Sequence, residues 1–115
     1  MYAWSNLTTR TGDDIPNPDQ LALSNSINEL FSSPIDNEHP DTWLRCCMPG
    51  GPLYVLSIFQ SGYAVFTKYP DADMTIELES GEITNINRER ALDLFNLLLS
   101  GKPDAITPKV QRNLL

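Results

Sequence analysis

The chain has 115 residues and a net charge of −7, from 15 acidic and 8 basic side chains. That length predicts one domain, residues 1–115, with a single modest core, and a composition 41% hydrophobic and 20% charged excludes a disordered chain. The acidic balance argues against binding to nucleic acid or to an anionic membrane surface, and it favours a basic protein partner.

No apolar run approaches the ~20 residues of a membrane span. The opening Met1-Tyr2-Ala3-Trp4-Ser5-Asn6 has no basic cluster followed by an apolar stretch. The expected compartment is therefore the cytoplasm. The two cysteines, Cys46 and Cys47, are adjacent. On a strand they would point to opposite faces, which suits two free thiols in a reducing environment.

In chain order, residues 2–9 alternate unevenly and predict a first strand or an irregular arm. Residues 11–16, rich in Gly, Asp and Pro, predict a loop. Asn17 then reads as a helix N-cap, with Pro18 at the first helical position and Asp19 complementing the helix dipole. Leu23, Ile27, Leu30 and Phe31 follow at helical spacing, and the helix should stop near Ser32-Ser33-Pro34. Residues 35–40 form a polar, acidic loop that holds the only histidine, His39.

Residues 43–48 predict a strand, and Pro49-Gly50-Gly51-Pro52 a turn. Leu53 to Phe59 is the strongest strand pattern, Gln60-Ser61-Gly62 a hairpin loop, and Tyr63 to Tyr69 the antiparallel return. After a turn at residues 70–73, Met74, Ile76 and Leu78 alternate with Thr75, Glu77 and Glu79, which predicts a half-buried strand. Ser80-Gly81 should turn into a short strand over residues 82–86. Asn87 predicts the cap of a second helix with Ala91, Leu92, Leu94, Phe95, Leu98 and Leu99 on its apolar face. Gly101 and Pro103 end that helix. Residues 106–115 form a basic tail that adds a strand or frays.

Uninterrupted strands without helical crossovers predict an antiparallel meander, because parallel pairing needs a long connection. The expected fold class is α+β: a meander sheet of four or more strands with two helices on one face. The expected core contains Leu23, Ile27, Phe31, Leu56, Phe66, Ile76, Leu94, Phe95 and Leu98. By cross-strand counting, Val55, Phe59, Tyr63, Val65 and Tyr69 fall on the other face, with Ser57 and Thr67 among them. Helices on one side leave that face to the arm and tail, or to a partner.

Few residues suggest chemistry. His39 is the one side chain whose ordinary pKa suits acid–base work near neutrality, and it lies in a loop. A Cys46 or Cys47 nucleophile would need a cationic surrounding, and Trp43, Leu44 and Met48 offer the reverse. One histidine and two adjacent cysteines cannot build a tetrahedral metal site, so no cofactor is expected. Pro49-Gly50-Gly51-Pro52 lacks the Lys-Ser/Thr of a phosphate loop. The carboxylates Asp71, Asp73, Glu77, Glu79 and Glu82, with Tyr63 and Tyr69 alongside, suggest instead an acidic recognition surface. The competing surface is Asp36, Glu38 and Asp41 with the neighbouring Trp43.

The run Ile76-Glu77-Leu78-Glu79-Ser80-Gly81, then Ile83 to Ile86, then Ala91-Leu92-Asp93-Leu94-Phe95, then Gly101-Lys102-Pro103 resembles the deaminase-associated immunity proteins of bacterial polymorphic toxin systems. The opening helix and the apolar strand pair around Gly62 also sit where that family has them. The resemblance spans about two thirds of the chain. It implies a non-catalytic protein that binds a cognate toxin domain in the cytoplasm and blocks its active site. The toxin would modify nucleic acids or nucleotides, as a deaminase does. The alternative on the residues alone is a small-ligand-binding or adaptor module without a toxin partner, and a further one is a small enzyme using Cys47 and His39.

Overall fold

The computed structural model describes residues 2–106 and the backbone of 111–112. The elements are β1 (Trp4–Thr8), β2 (Asp14–Pro16), α1 (Gln20–Ser32), β3 (Asp41–Cys47), β4 (Leu53–Phe59), β5 (Tyr63–Tyr69), β6 (Glu79–Ile83), α2 (Arg88–Leu99), α3 (Pro103–Ile106) and β7 (Gln111–Arg112). Among the described residues, seven strands form one sheet in the order β2-β1-β3-β4-β5-β6-β7, and every pairing is antiparallel. The stretch from β3 to β6 is the expected meander. The fold is α+β.

Both long helices cover one face. Leu7, Leu44, Leu56, Ile58, Ala64 and Phe66 from the sheet join Leu23, Ile27 and Leu30 of α1 and Leu94, Phe95 and Leu98 of α2 in one buried cluster. Burying each such side chain is worth roughly 1.5–3 kcal/mol, which is why the alternation in β3 to β5 dominates the local choice of structure. Cys46 and Cys47 are free and, as strand neighbours, point to opposite faces.

The capping chemistry partly follows the sequence. Asn87 accepts from the Arg90 N–H at 2.8 Å and starts α2. At its other end Gly101, with φ +82, lets the Lys102 N–H reach the Leu97 carbonyl and the Gly101 N–H reach the Leu98 carbonyl. A side chain there would resist that left-handed turn. For α1 the cap is Asp19, not Asn17, and it accepts from the Ala22 N–H at 2.9 Å. Asn17 instead adopts φ +48 and extends the β1–β2 pairing, its N–H bonding the Ser5 carbonyl. Sheet pairing outweighs the local capping signal there, and it turns residues 14–16, expected as loop, into an edge strand.

The largest departure lies between β5 and β6. Residues 74–78 are not a strand but an irregular loop, in which Met74, Ile76 and Leu78 are 43%, 64% and 53% exposed. Ile76 is therefore not part of the core. Their alternation is strand-like, but the position beside β5 is taken by 79–83, with Gly81 opposite Phe66 and Ile83 opposite Ala64. That register buries Ile83 and lets Ile86 follow it into the core, and 74–78 are looped out. Ser80-Gly81 accordingly lies within β6 rather than in a turn. Glu77 and Glu79 do not share a strand face, since only Glu79 is in a strand. Phe31 packs only partly against the core. Of the tail, Ile106 is buried in α3 and Gln111–Arg112 pair with β6, while residues 107–110 and 113–115 lie outside the described residues.

Candidate functional site

The helices leave the second face of the sheet open. Strand alternation puts Trp4, Trp43, Arg45, Val55, Ser57, Phe59, Tyr63, Val65, Thr67 and Tyr69 on it. Most are half-buried, and Cys47 and Leu53 on the same face are buried. Phe59 and Tyr63 stack with centroids 4.4 Å apart, and the Arg45 guanidinium lies 5.8 Å from the centre of the Trp4 ring. Such offset aromatic and cation–π contacts keep these side chains in fixed orientations.

Neither the N-terminal arm nor the described part of the tail crosses this face; the loop of residues 70–78 does. Met74, in a left-handed conformation with φ +55, reaches from that loop to a depression of about 440 Å3 that it lines with Thr8, Gly12, Asp14, Trp43, Arg45 and Val55. The floor is apolar, and one wall is the β1–β2 turn. Asp14 accepts from Thr8 at 2.7 Å and from Asn6 at 3.2 Å, and these two bonds, with help from the Arg45 charge, hold its carboxyl below the usual range.

The expected recognition residues divide into two sets. Asp41 pairs with Phe59 and Phe59 with Tyr63, so Asp41, Trp43 and Tyr63 gather on the open face at one end of the sheet. Burial raises the Asp41 pKa. Tyr69 lies six residues further along β5, roughly 20 Å away, at the end from which Asp71 and Asp73 continue. Burial, then the nearby Glu77 carboxylate, raises the Tyr69 pKa. Glu82 is exposed opposite Val65 on the open face, and Glu79 is paired with Lys68 at the start of β6. The two acidic loops do not share an end: 35–40 precedes β3, whereas 70–73 follows β5 at the opposite rim.

The loop of residues 35–40 is tied down internally. Asp36 accepts from His39 at 2.9 Å and lies 3.7 Å from Arg10, while the Glu38 N–H donates to it at 2.9 Å. These contacts, the His39 bond foremost, depress its pKa. Gln60 donates to the carbonyls of Leu30, Ser33 and Pro34 and accepts from the Asp36 N–H, pinning the loop to the end of α1. Asp36 is thus less available to a partner than Asp71 and Asp73, whose only bond to each other is from the Asp73 N–H to Asp71.

His39 and the thiols are not brought together. His39 precedes β3 and Cys47 ends it, a separation of roughly 20 Å or more. Burial pushes the Cys46 thiol up from 9.0 to about 12, away from thiolate character. Because the folded state holds that proton more tightly, the contribution is full below pH 9.0 and is lost as pH rises towards about 12. Tyr2, whose hydroxyl donates to the Leu98 carbonyl at 2.5 Å, is likewise raised by burial and acts in the same direction. Urea midpoints should therefore fall between pH about 9 and about 12, and a Cys46→Val variant should show a shallower early decline. A midpoint that rises over this range contradicts the buried, neutral thiol.

Among the described residues, no group of three His, Cys, Asp or Glu side chains could hold a metal ion, and no helix is long and apolar enough to cross a membrane. The sequence had flagged Trp43, Val55 and the tyrosines. It missed Trp4, Arg45 and the approach of Met74. The period-2 pattern beginning at Trp43 could have supplied Arg45, whereas Trp4 and Met74 depend on strand pairing and loop path. Comparison with family models, with curated proteins and with solved structures finds no match for this chain.

Proposed function

We propose that this chain is an immunity-type inhibitor, which binds a cognate bacterial toxin enzyme and occludes its active site. The toxin acts on nucleic acids or nucleotides, for example as a deaminase. The observation that carries this reading is the open sheet face. It is aromatic, mostly half-buried, left uncovered by the helices, and crossed by an exposed loop that holds Asp71, Asp73 and Glu77 beside Met74, Ile76 and Leu78. Fixed aromatic anchors beside carboxylates suit a protein partner, because the anchors exclude water while the charges steer encounter. An enzyme that handles phosphates offers a cationic cleft, and carboxylates can stand where phosphates would lie. The protein acts in the cytoplasm, where Cys46 and Cys47 stay reduced.

Neutralisation is the test. The protein retained from producing cells by this chain should arrest growth when expressed alone, and co-expression of this chain should restore growth. Asp71→Lys with Asp73→Lys should weaken binding and reduce its salt dependence more than Asp36→Lys with Glu38→Lys does. A retained protein that is harmless alone, and whose activity this chain leaves untouched, overturns the proposal. The second reading, a small-ligand or adaptor module, draws on the depression between Trp43 and Met74. It is favoured instead if a metabolite raises Tm and no protein is inhibited.

A further inference from the structure

We infer that the trough between the β1–β2 turn and the loop of residues 70–78 seats a protein segment with one large apolar side chain flanked by lysine or arginine. This rests on the reading of the chain as a protein-binding inhibitor, and it adds the contact chemistry and the place on the face.

Three observations converge on that occupant. The trough has an apolar floor, with Trp43 and Val55 below and Met74 at its edge, and its volume of about 440 Å3 accommodates a large side chain. Exposed large hydrophobics are concentrated on the loop that forms its edge: among the described residues Met74, which lines the trough, and Ile76 and Leu78 further along are three of five, the others being Leu21 and Ile35. Water-exposed apolar groups gathered on one nine-residue loop favour a partner that removes them from water. The surroundings are acidic. Asp14 and Arg45 are the charged lining residues, Asp13 adjoins Asp14 and Asp73 adjoins Met74, while Asp71, Glu77 and Glu82 add exposed carboxylates further along the loop and on β6.

Charge decides between occupants. Arg45, which itself lines the trough, is the cation that β3 to β5 present on this face, Lys68 being on the helix-covered side. The Arg45 guanidinium lies over Trp4, Arg10 of the β1–β2 turn lies 3.7 Å from Asp36, and carboxylates outnumber these cations around the trough. An acidic or neutral segment would therefore meet a repulsive or indifferent rim. A second copy of this chain, at −7, would meet like charge. A basic segment gains at the rim and can lay the aliphatic stems of its lysines and arginines across the exposed loop side chains.

The probe is a phage-displayed library of random peptides, selected on the immobilised full chain. Enriched peptides should combine Lys or Arg with a large apolar residue and should weaken as salt rises. Their affinity should drop roughly tenfold or more in Met74→Ser with Ile76→Ser and in Asp71→Lys with Asp73→Lys. Glu29→Lys with Glu89→Lys, equal in charge change but on the helices, should leave it nearly unchanged. All four loop positions are exposed, so the variants should keep the wild-type Tm. The inference is overturned if no peptide is enriched, if the enriched peptides lack basic residues, or if both loop variants bind as the wild type does. Toxin neutralisation is scored separately. Growth protection that survives both loop variants removes the trough and keeps the inhibitor. Peptide binding that obeys the loop variants, with no toxin neutralised, keeps the trough and removes the inhibitor.

Discussion

Replacing Phe95 by alanine is expected to destabilise the protein by about 3–5 kcal/mol. Phe95 is fully buried in α2, and Ala91, Leu94 and Leu98 share its buried face. Its ring lies in the cluster where both helices meet the central strands. Truncation removes the ring's burial and leaves a void that close-packed neighbours fill only in part. A domain of this size holds about 5–15 kcal/mol in all, so one substitution consumes a large share. Urea denaturation at neutral pH should show a much lower midpoint with an unchanged slope. Asp93→Ala, two positions away and exposed, should move the midpoint little. A loss below about 1 kcal/mol for Phe95→Ala would mean that α2 does not pack on the sheet as described.

Trp43→Ala should carry the largest loss in partner affinity, about 2 kcal/mol or more, or on the order of thirtyfold. Trp43 is half-buried on the open face, lining the depression with Val55, Arg45 and Met74. A large aromatic ring at the centre of a contact contributes more than charges at its rim, because water leaves it completely on docking. Asp71→Lys with Asp73→Lys should act mainly on the association rate and its salt dependence, and Trp43→Ala mainly on dissociation. Calorimetric titration against the neutralised toxin, with stopped-flow rates, separates the two. Equal affinity for Trp43→Ala and wild type would remove the open face from the interface.

The hairpin from Leu53 to Tyr69 was legible residue for residue, because period-2 alternation, a Gly62 turn and β-branched and aromatic side chains agree there. The Asn87 cap and the Gly101 exit of α2 were legible for a similar reason, since each is a local bond between close neighbours in sequence. Elements whose identity depends on a distant partner were not. Residues 74–78 carry a good strand pattern and lost the place beside β5 to 79–83, whose register buries Ile83 opposite Ala64. Asn17 carries a good cap signal and was taken by pairing with Ser5.

The candidate site follows the same division. Composition alone determined an acidic domain, and alternation alone determined that Val55, Phe59, Tyr63, Val65 and Tyr69 share a face. Only the tertiary structure decided that the helices cover the other face, that the two acidic loops stand at opposite rims, and that Met74 reaches Trp43 across the open side. Local patterns report which face of an element is apolar. Which apolar face finds a cover, and which is left to a partner, is settled by competition among distant segments for one core.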